Sequence, residues 1–256
     1  MGKIVAVVNQ KGGVGKTTTA VNLCAAIGQA GKRVLLCDID PQGNATSGLG
    51  LQKKELQKSS YEVLTGSATV AESLRETGFE NLYLLPASMD LAGAELELVD
   101  LPRREARLKE ALSLVRDQFD YIFMDCPPAL GLITVNALAA ADTILIPIQC
   151  EYFALEGLSQ LLSTVRQIKK LYNPHIDVEG VVLTMYDGRL NLTQSVVAEV
   201  KRFFPRRVYS TVIPRNVRLS EAPSFGQPVQ YYDNASRGSQ SYNDLAAEFL
   251  KQNAMQ

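Results

Sequence analysis

The sequence predicts an α/β fold in which a doubly wound, mostly parallel sheet is flanked by helices. Two observations lead to this prediction. Short apolar runs recur along the 256 residues, and their apolarity is continuous rather than alternating, which is typical of strands covered on both faces. Helix-like patterns lie between these runs, and strands that alternate with helices form parallel sheets whose ligands bind at the carboxyl ends of the strands.

Strands and helices are predicted along the whole chain. The apolar runs predict strands at Ile4–Val8, Val34–Cys37, Leu82–Leu85, Tyr121–Met124, Thr143–Ile148, Val178–Leu183 and Val208–Ile213. Helices are predicted at Thr17–Ala30, Arg103–Arg116, Leu130–Ala140, Leu155–Tyr172, Leu192–Phe204 and Gly238–Gln252. A capping box that begins at Thr69 predicts one more short helix. The stretch from Gly43 to Ser60 is expected to be an irregular surface region.

The composition is that of an ordinary globular protein, with 46% hydrophobic residues, 21% charged residues and a net charge of −1. This charge gives no overall attraction to nucleic acid or membranes, so binding to either requires a local patch. The length fits one domain over residues 1–256, and the first strand begins too early to leave room for an N-terminal DNA-reading domain.

The cysteines and the apolar runs predict where the protein resides. Cys24, Cys37, Cys126 and Cys150 show no C-x-x-C spacing, which favours buried thiols in a reducing cytoplasm over a metal or cluster site. No signal peptide and no apolar run of about 18 residues is present. We therefore expect a cytoplasmic protein.

A glycine-rich loop, Asn9 to Thr19, joins the first predicted strand to the first predicted helix. Its glycines leave main-chain N–H groups open to an anion, and the helix points its positive end at the same place. Lys16 is expected along the β- and γ-phosphates of a nucleotide, with the Thr17 hydroxyl on a bridging Mg²⁺. The candidate nucleotide-binding residues of the loop are Lys11, Gly12, Gly13, Val14, Gly15, Lys16, Thr17 and Thr18. The alternative is a glycine turn with two solvated lysines.

The loop departs from the common pattern G-x-x-x-x-G-K-[ST], because Gln10 stands where the first glycine is expected. A second lysine, Lys11, stands five residues before Lys16. One lysine is enough to hold the phosphates, so the second requires a separate explanation.

Acidic residues follow two of the predicted strands. Asp38 and Asp40 leave the end of one strand on the same side, so Asp40 is a candidate to orient an attacking water and Asp38 to support the loop or metal. Asp125 ends another strand and is the acid expected beside a nucleotide-bound Mg²⁺. Thr17, Asp40 and Asp125 are thus the candidate metal ligands. An ordinary turn before Pro41 remains the alternative for Asp38 and Asp40.

These stretches together resemble the ParA/Soj-type partition ATPases, which belong to the P-loop group with a deviant Walker A motif. Beyond the loop, the matching segments are Asp38–Leu49, Asp125–Pro128, Gln149–Leu158 and Ile213–Ser224. The resemblance runs from about Lys3 to Leu245. Several independent motifs carry it, which makes it far more specific than a glycine loop alone.

The resemblance implies an ATPase whose two copies close face to face over two ATP molecules. Lys11 would then enter the partner's site and neutralise charge on the transferring phosphate, together with Lys16 and Asp40 as the catalytic residues. Gly12 would lie where the two loops nearly touch. Pro214 and Asn216 would lie at the adenine base, and Glu151 is either near the opposite nucleotide or a plain surface acid. The only histidine, His175, follows Asn173-Pro174 in a predicted surface turn, so slow hydrolysis is expected until a partner accelerates it.

Basic residues are concentrated between Val181 and Ser220, where the sequence has seven lysines and arginines but only two acidic residues. A local surplus of this kind gives DNA binding that is independent of sequence and sensitive to salt. By the resemblance, Arg189 and Arg218 are the principal DNA contacts. It also implies a ParB-type centromere-binding partner and association with the nucleoid. Without the resemblance, a solvated helix face is the favoured interpretation of this run.

Three other functions are alternatives to a partition ATPase. A MinD-like membrane positioner would need a basic amphipathic helix at the C-terminus, whereas Asp244–Gln256 has two acids and one lysine and predicts a helix packed on its own domain. An iron-protein role would need cysteines arranged to bridge a dimer, and the four present do not follow that pattern. A nucleotide-binding scaffold that does not hydrolyse ATP is the third alternative. It would differ from a partition ATPase because DNA and a partner would not stimulate phosphate release.

Overall fold

The computed structural model describes residues 1–151 and 154–254. Tyr152 and Phe153, which belong to the motif from Gln149 to Leu158, lie outside the described residues, as do Met255 and Gln256 of the predicted tail. The described part forms one eight-stranded sheet with the strand order β3-β4-β2-β5-β1-β6-β7-β8. The strands are β1 Lys3–Val7, β2 Val34–Asp38, β3 Arg75–Glu76, β4 Leu82–Leu85, β5 Tyr121–Asp125, β6 Thr143–Gln149, β7 Asp177–Tyr186 and β8 Val208–Pro214.

The pairing of the strands is parallel throughout, except that β3 runs antiparallel to β4 at one edge. All the predicted strands are present, and the predicted α/β fold with a mostly parallel sheet is confirmed. The strand β3 was not predicted, because two residues without an apolar run carry no periodic signal.

Helices cover both faces of the sheet. They are α1 Lys16–Gln29, α2 Asn44–Gly48, α3 Ser60–Thr65, α4 Val70–Ser73, α5 Leu91–Leu98, α6 Arg107–Ser113, α7 Leu132–Ala140, α8 Ala154–Leu171, α9 Asn191–Phe203, α10 Val217–Glu221, α11 Val229–Tyr232 and α12 Arg237–Ala254. Short 3₁₀ turns occupy Lys53–Glu55, Arg116–Gln118 and Ala222–Phe225. Of the helices in the described ranges, none combines the length and the apolarity needed to cross a membrane.

Most predicted helices are confirmed, one of them with its predicted capping box, and two regions differ from the prediction for physical reasons. The predicted capping box is formed. The Thr69 hydroxyl accepts a hydrogen bond from the N–H of Glu72, and the Glu72 carboxylate accepts one from the N–H of Thr69. The helix predicted from Arg103 starts only at Arg107, because Arg103 has a positive φ of 54°. The expectation of an irregular surface from Gly43 was wrong in part, because α2 forms there and buries Ala45 and Thr46.

Two apolar clusters, one on each face of the sheet, form the core. Alternate residues of β1 contribute to them: Ile4 and Ala6 lie in one cluster, and Val5 and Val7 in the other. This explains why the apolar runs are continuous in the sequence. The four cysteines are free and buried, as predicted.

The C-terminal helix α12 packs against α1 and β8. Phe249 is fully buried, and its ring centroid lies 5.5 Å from that of Phe123 and 5.2 Å from that of Tyr121. The Tyr242 hydroxyl is 3.1 Å from that of Thr19 on α1. The prediction that the C-terminal helix packs on its own domain is therefore confirmed.

Replacing Phe249 with alanine tests how strongly α12 is attached. We expect the Phe249→Ala variant to lose about 3–5 kcal/mol of unfolding free energy, because a fully buried ring leaves a cavity between α12 and β5. Lys251, an exposed residue of the same helix, provides the control, and Lys251→Ala should change the stability by less than about 0.5 kcal/mol. Urea denaturation followed by circular dichroism measures both, and equal losses would contradict the packing described here.

Candidate nucleotide-binding site

The glycine loop between β1 and α1 is built as an anion cradle. Gly13 and Gly15 have φ values of 76° and 86°, which side chains other than glycine rarely adopt. A Cβ atom at Gly12 or Gly13 would meet nothing within 4 Å, so one side of the loop is open. No side chain caps the N-terminus of α1, and its first turn contains no acidic residue. The N–H groups of that turn are therefore free to bind an external anion.

Lys16 lies across this loop. Its Nζ donates a hydrogen bond to the main-chain oxygen of Lys11 at 3.1 Å. The side chain is buried, and burial lowers the pKa of Lys16, although the charge of Asp125 acts in the opposite direction. A desolvated cation held over uncapped N–H groups is suited to a phosphate.

Lys11 points instead toward the chain that follows β6. Its Nζ forms an ion pair with Glu151 at 2.7 Å, and both side chains are partly exposed. Gln149 donates a hydrogen bond to the other carboxylate oxygen of Glu151. The hydrogen bond from Lys11 is the main cause of the lowered pKa of Glu151. Neither alternative considered for Glu151 in the sequence included this contact with Lys11 of the same chain, and no sequence pattern indicates it.

Asp38 and Asp40 differ in their hydrogen bonds. Asp38 is buried and accepts hydrogen bonds from the Thr46 N–H at 2.8 Å and the Thr46 hydroxyl at 2.7 Å. Burial nevertheless raises the pKa of Asp38 to about 6. Asp40 accepts a hydrogen bond from the N–H of Gln42 at 2.9 Å, and its own N–H donates to Asp38. Asp38 thus holds the backbone on which Asp40 stands.

Thr46 is a supporting residue that the sequence analysis missed. It lies in α2, within the stretch expected to be irregular, and besides donating to Asp38 its hydroxyl accepts from the N–H of Ala87 at 2.9 Å. The segment Asn44-Ala45-Thr46 begins this short helix, and no pattern in it indicates the role of Thr46.

Asp125 is the last residue of β5 and is fully buried. Neither of its carboxylate oxygens makes a hydrogen bond that meets normal geometry. Burial raises the pKa of Asp125 well above its usual value, and the nearby charge of Asp38 raises it further. The hydroxyl of Thr17 is close enough to favour the charged carboxylate, and it lowers the pKa in part. A buried carboxylate without a partner is unfavourable alone and would be satisfied by a cation. The residues present therefore fit the Mg²⁺ that this loop implies.

A cavity of about 430 Å³ adjoins the loop and brings predicted residues together. Gly15 and Thr18 line one side, and Pro214 and Asn216 line another. The side-chain oxygen of Asn216 accepts the N–H of Arg218 at 2.9 Å, so its amide group remains to contact a ligand. Both loop segments predicted to bind a nucleotide thus face one space.

The fold divides the basic run into two groups. Arg189 and Arg218 follow the carboxyl ends of β7 and β8, at the same end of the sheet as the glycine loop. Lys201, Arg202, Arg206 and Arg207 lie at the end of α9 or just before β8, at the opposite end. Arg189 pairs with Asp187 at 2.6 Å, and Arg218 pairs with Glu221 at 2.8 Å and Asp233 at 3.1 Å. The single basic patch that the sequence suggested is therefore divided between the two ends of the sheet.

Comparison with known proteins agrees with this geometry. Residues 2–178 match the family model described as an AAA domain. The chain is 58% identical over 248 residues to the sporulation initiation inhibitor protein Soj of Bacillus subtilis (strain 168), covering 97% of this chain and 98% of that protein. It is 51% identical over 251 residues to the chromosome partitioning protein ParA of Myxococcus xanthus (strain DK1622), covering 98% and 89% of the two chains. The chain belongs to the Soj/ParA family of chromosome-partitioning ATPases.

The Soj/ParA architecture also agrees with a solved structure. The cobyrinic acid a,c-diamide synthase of Mycobacterium smegmatis, solved with a bound ATP analog and magnesium, superposes with a TM-score of 0.86 at 37% identity. The match covers 98% of this chain and 95% of that one. The predicted membership of the P-loop ATPases is confirmed.

The unpartnered carboxylate of Asp125 leads to a prediction about pH. Because the pKa of Asp125 is raised in the folded protein, the folded state keeps a proton on this carboxyl at pH values where the unfolded chain has lost it. The free energy of unfolding therefore falls as the pH rises from about 4, the ordinary pKa of an aspartate, through the pKa of the folded state. In metal-free buffer with EDTA, Asp125→Asn should be more stable than the parent by about 1 kcal/mol or more at pH 8. The difference should shrink toward pH 5.

The measurement is urea denaturation of both proteins across this pH range, with Asp117→Asn as the control at an exposed acid. Parallel curves for the parent and Asp125→Asn would show that Asp125 is not a buried, unpartnered charge.

Proposed function

We propose that this family member binds ATP and Mg²⁺, hydrolyses ATP slowly, and uses the nucleotide to control dimerisation and sequence-independent binding to DNA during chromosome or plasmid segregation. The observation that carries the proposal is the convergence of an uncapped glycine cradle, the buried Lys16 and the unpartnered Asp125 on one opening. The combination of free N–H donors, a desolvated cation and an unsatisfied carboxylate suits a nucleotide phosphate with its metal.

The phosphates would accept hydrogen bonds from the N–H groups of Gly12 to Thr18 and from Lys16. Thr17, Asp40 and Asp125 would hold the Mg²⁺, directly or through water, and the ion would neutralise phosphate charge. The described residues contain no cluster of three His, Cys, Asp or Glu that could hold a metal alone. Phosphate oxygens would therefore complete the coordination. Asp40 would accept a hydrogen bond from the attacking water and orient it toward the terminal phosphorus.

The adenine would occupy the cavity between Gly15 and Pro214. Pro214 offers an apolar surface for the base, and the free amide group of Asn216 can donate to a ring nitrogen. Hydrolysis would transfer the terminal phosphoryl group to water and leave ADP in the same place.

The partly exposed Lys11 supports the proposed dimer. It lies beside the open face of the loop, and its Glu151 ion pair is accessible to solvent and therefore exchangeable. In a face-to-face pair of chains, Lys11 of each copy would reach the phosphates of the other and neutralise charge there, as an arginine finger does.

Arg189 and Arg218 support the DNA-binding part of the proposal. Their side chains are 89% and 46% exposed and lie at the nucleotide end of the sheet. A ParB-type centromere-binding protein is the proposed partner that accelerates hydrolysis, and the proposed location is the nucleoid in the cytoplasm. A MinD-like membrane role is less well supported, since α12 already buries Leu245 and Phe249 against the core.

The proposal is tested by phosphate release and by retention on random-sequence DNA, each with and without ATP. Lys16→Ala should lower hydrolysis by about 100-fold or more and abolish ATP-dependent retention, because the phosphates lose their buried cation. The control, Lys32→Ala, removes an exposed lysine at the other end of the sheet and should behave as the parent. Phosphate release that does not respond to DNA and a ParB-type protein would favour a nucleotide-binding scaffold.

Gly12→Val tests the face-to-face dimer. A side chain at this position meets nothing within 4 Å in its own chain, so the variant should fold and bind ATP within about threefold of the parent. In the dimer the valine would meet the partner's loop, so the protein should stay monomeric with ATP in light scattering. Gly78→Val is the matched control at another exposed, open glycine. An ATP-dependent dimer of Gly12→Val would exclude the proposed geometry.

A further inference from the structure

One stretch of the chain is strongly acidic and has no part in the proposed function. Residues 59–102 contain eight acids and one base, Arg75, although the net charge of the protein is −1. The acids are Glu62, Glu72, Glu76, Glu80, Asp90, Glu95, Glu97 and Asp100. This stretch forms α3, α4, β3, β4 and α5 at one edge of the sheet, whereas β7 and β8 lie at the other edge.

The outer side of α5 and its flanking residues is apolar within this acidic stretch. Met89, Leu96 and Val99 are 61%, 79% and 50% exposed, and Ala92 is exposed between them. These four residues are spaced by three or four positions, so they form one stripe along the helix. A single exposed apolar residue is ordinary, whereas a contiguous row of them is typical of a surface that binds another molecule.

Acids accompany the stripe at its C-terminal half. Glu97 follows Leu96 and Asp100 follows Val99, and both acids are exposed. Glu97 accepts a hydrogen bond from the neutral Tyr61 hydroxyl at 2.9 Å. Across residues 1–151 and 154–254 neither acid forms an ion pair, so their negative charges are not compensated. We call the stripe and these two acids the α5 surface.

A cavity of about 300 Å³ adjoins the C-terminal end of the stripe. Val99 lines it together with Leu130, just before α7, and Tyr172, just after α8. Arg104 and Glu105, the charged residues of the described lining, pair with each other at 3.1 Å. The cavity therefore offers no free charge and suits an apolar side chain of a partner.

The charge of the α5 surface decides between the molecules that could cover it. DNA and anionic lipid carry the same sign of charge as the acids and would be repelled. Two copies of the surface facing each other would also bring acids together. A helix with lysines or arginines would be attracted, and apolar side chains at helical spacing would pack along the stripe.

We propose that the α5 surface docks an amphipathic helix of a partner protein, which carries a row of apolar side chains beside lysines or arginines. One apolar side chain of that helix enters the cavity next to Val99, and its cations face Glu97 and Asp100. The docking surface is separate from the nucleotide site, and the inference does not depend on the proposed function.

A fluorescent model peptide of about 14 residues provides the test, with leucines at helical spacing and lysines at the other positions. Fluorescence anisotropy measures its binding to the full chain. Two control peptides should bind at least about tenfold more weakly. One has glutamates in place of the lysines, and the other has the same composition with leucines that do not share one helix face.

Two variants test the two parts of the surface. Leu96→Ser removes apolar area that the peptide would bury, and Asp100→Lys replaces attraction by repulsion, so each should weaken binding at least about fivefold. The matched controls are Leu114→Ser, at a leucine that is 75% exposed after α6, and Asp244→Lys, at an exposed acid of α12. Both should bind the peptide as the parent does. All four positions are exposed, so the unfolding temperatures should stay within about 2 °C of the parent.

An introduced thiol locates the bound peptide. The four native cysteines are buried, so Ala92→Cys supplies an exposed thiol in the middle of the stripe. With the peptide at about ten times its dissociation constant, maleimide labelling of this variant should slow about tenfold. Ala198→Cys, at an exposed alanine of α9, is the matched control and should be labelled at an unchanged rate.

Several outcomes would overturn the inference. They are a parent that does not bind the lysine peptide, equal binding by the parent, Leu96→Ser and Asp100→Lys, and equal protection of Ala92→Cys and Ala198→Cys. Anionic vesicles that protect Ala92→Cys would assign the stripe to a membrane, and a dimer lost in Leu96→Ser would assign it to a second copy. These measurements use neither nucleotide nor DNA, so their failure would leave the proposed function standing.

Discussion

The parallel register of three neighbouring strands is the constraint on which the site depends. β5 lies between β2 and β1, and its last residue, Asp125, is opposite Asp38 on one side and Val7 on the other. The chain leaving each strand therefore enters the same small region. The glycine loop, the Asp38–Asp40 turn and Asp125 are far apart in the sequence. They meet in this region because the sheet fixes where each strand ends.

This arrangement is unfavourable for the isolated chain. Asp38, Asp125 and Lys16 are buried together, and burial raises the pKa values of the two acids and lowers that of the lysine. Asp38 is partly compensated by Thr46 and the N–H of Asp40, whereas Asp125 has no hydrogen-bond partner. These buried charges thus lower the free energy of unfolding of the isolated chain. Binding of a phosphate and a cation would pair them and raise it again. The same burial keeps water from screening the charges once a ligand is bound.

Continuous apolar runs made the strands and most long helices predictable from the sequence, and the glycine loop made its own residues predictable. The features that could not be predicted depend on contacts between distant segments or on very short elements. Thr46 supports Asp38 from a five-residue helix, and Lys11 meets Glu151 across 140 residues. The basic run was contiguous in sequence, but β7, α9 and β8 reverse direction and place its members at two ends of the sheet.

The packing of α12 on α1 has a consequence for how the protein is made. The helix that carries the nucleotide loop is synthesised first, yet Tyr242 and Phe249, which cover it and the adjacent strand, come more than 200 residues later. β1 likewise pairs with β5 only after residue 121 has been added. On the ribosome, the loop therefore lacks its supporting surface until α12 has emerged from the exit tunnel. The surface that supports the nucleotide loop is thus contributed largely by the last helix of the described chain.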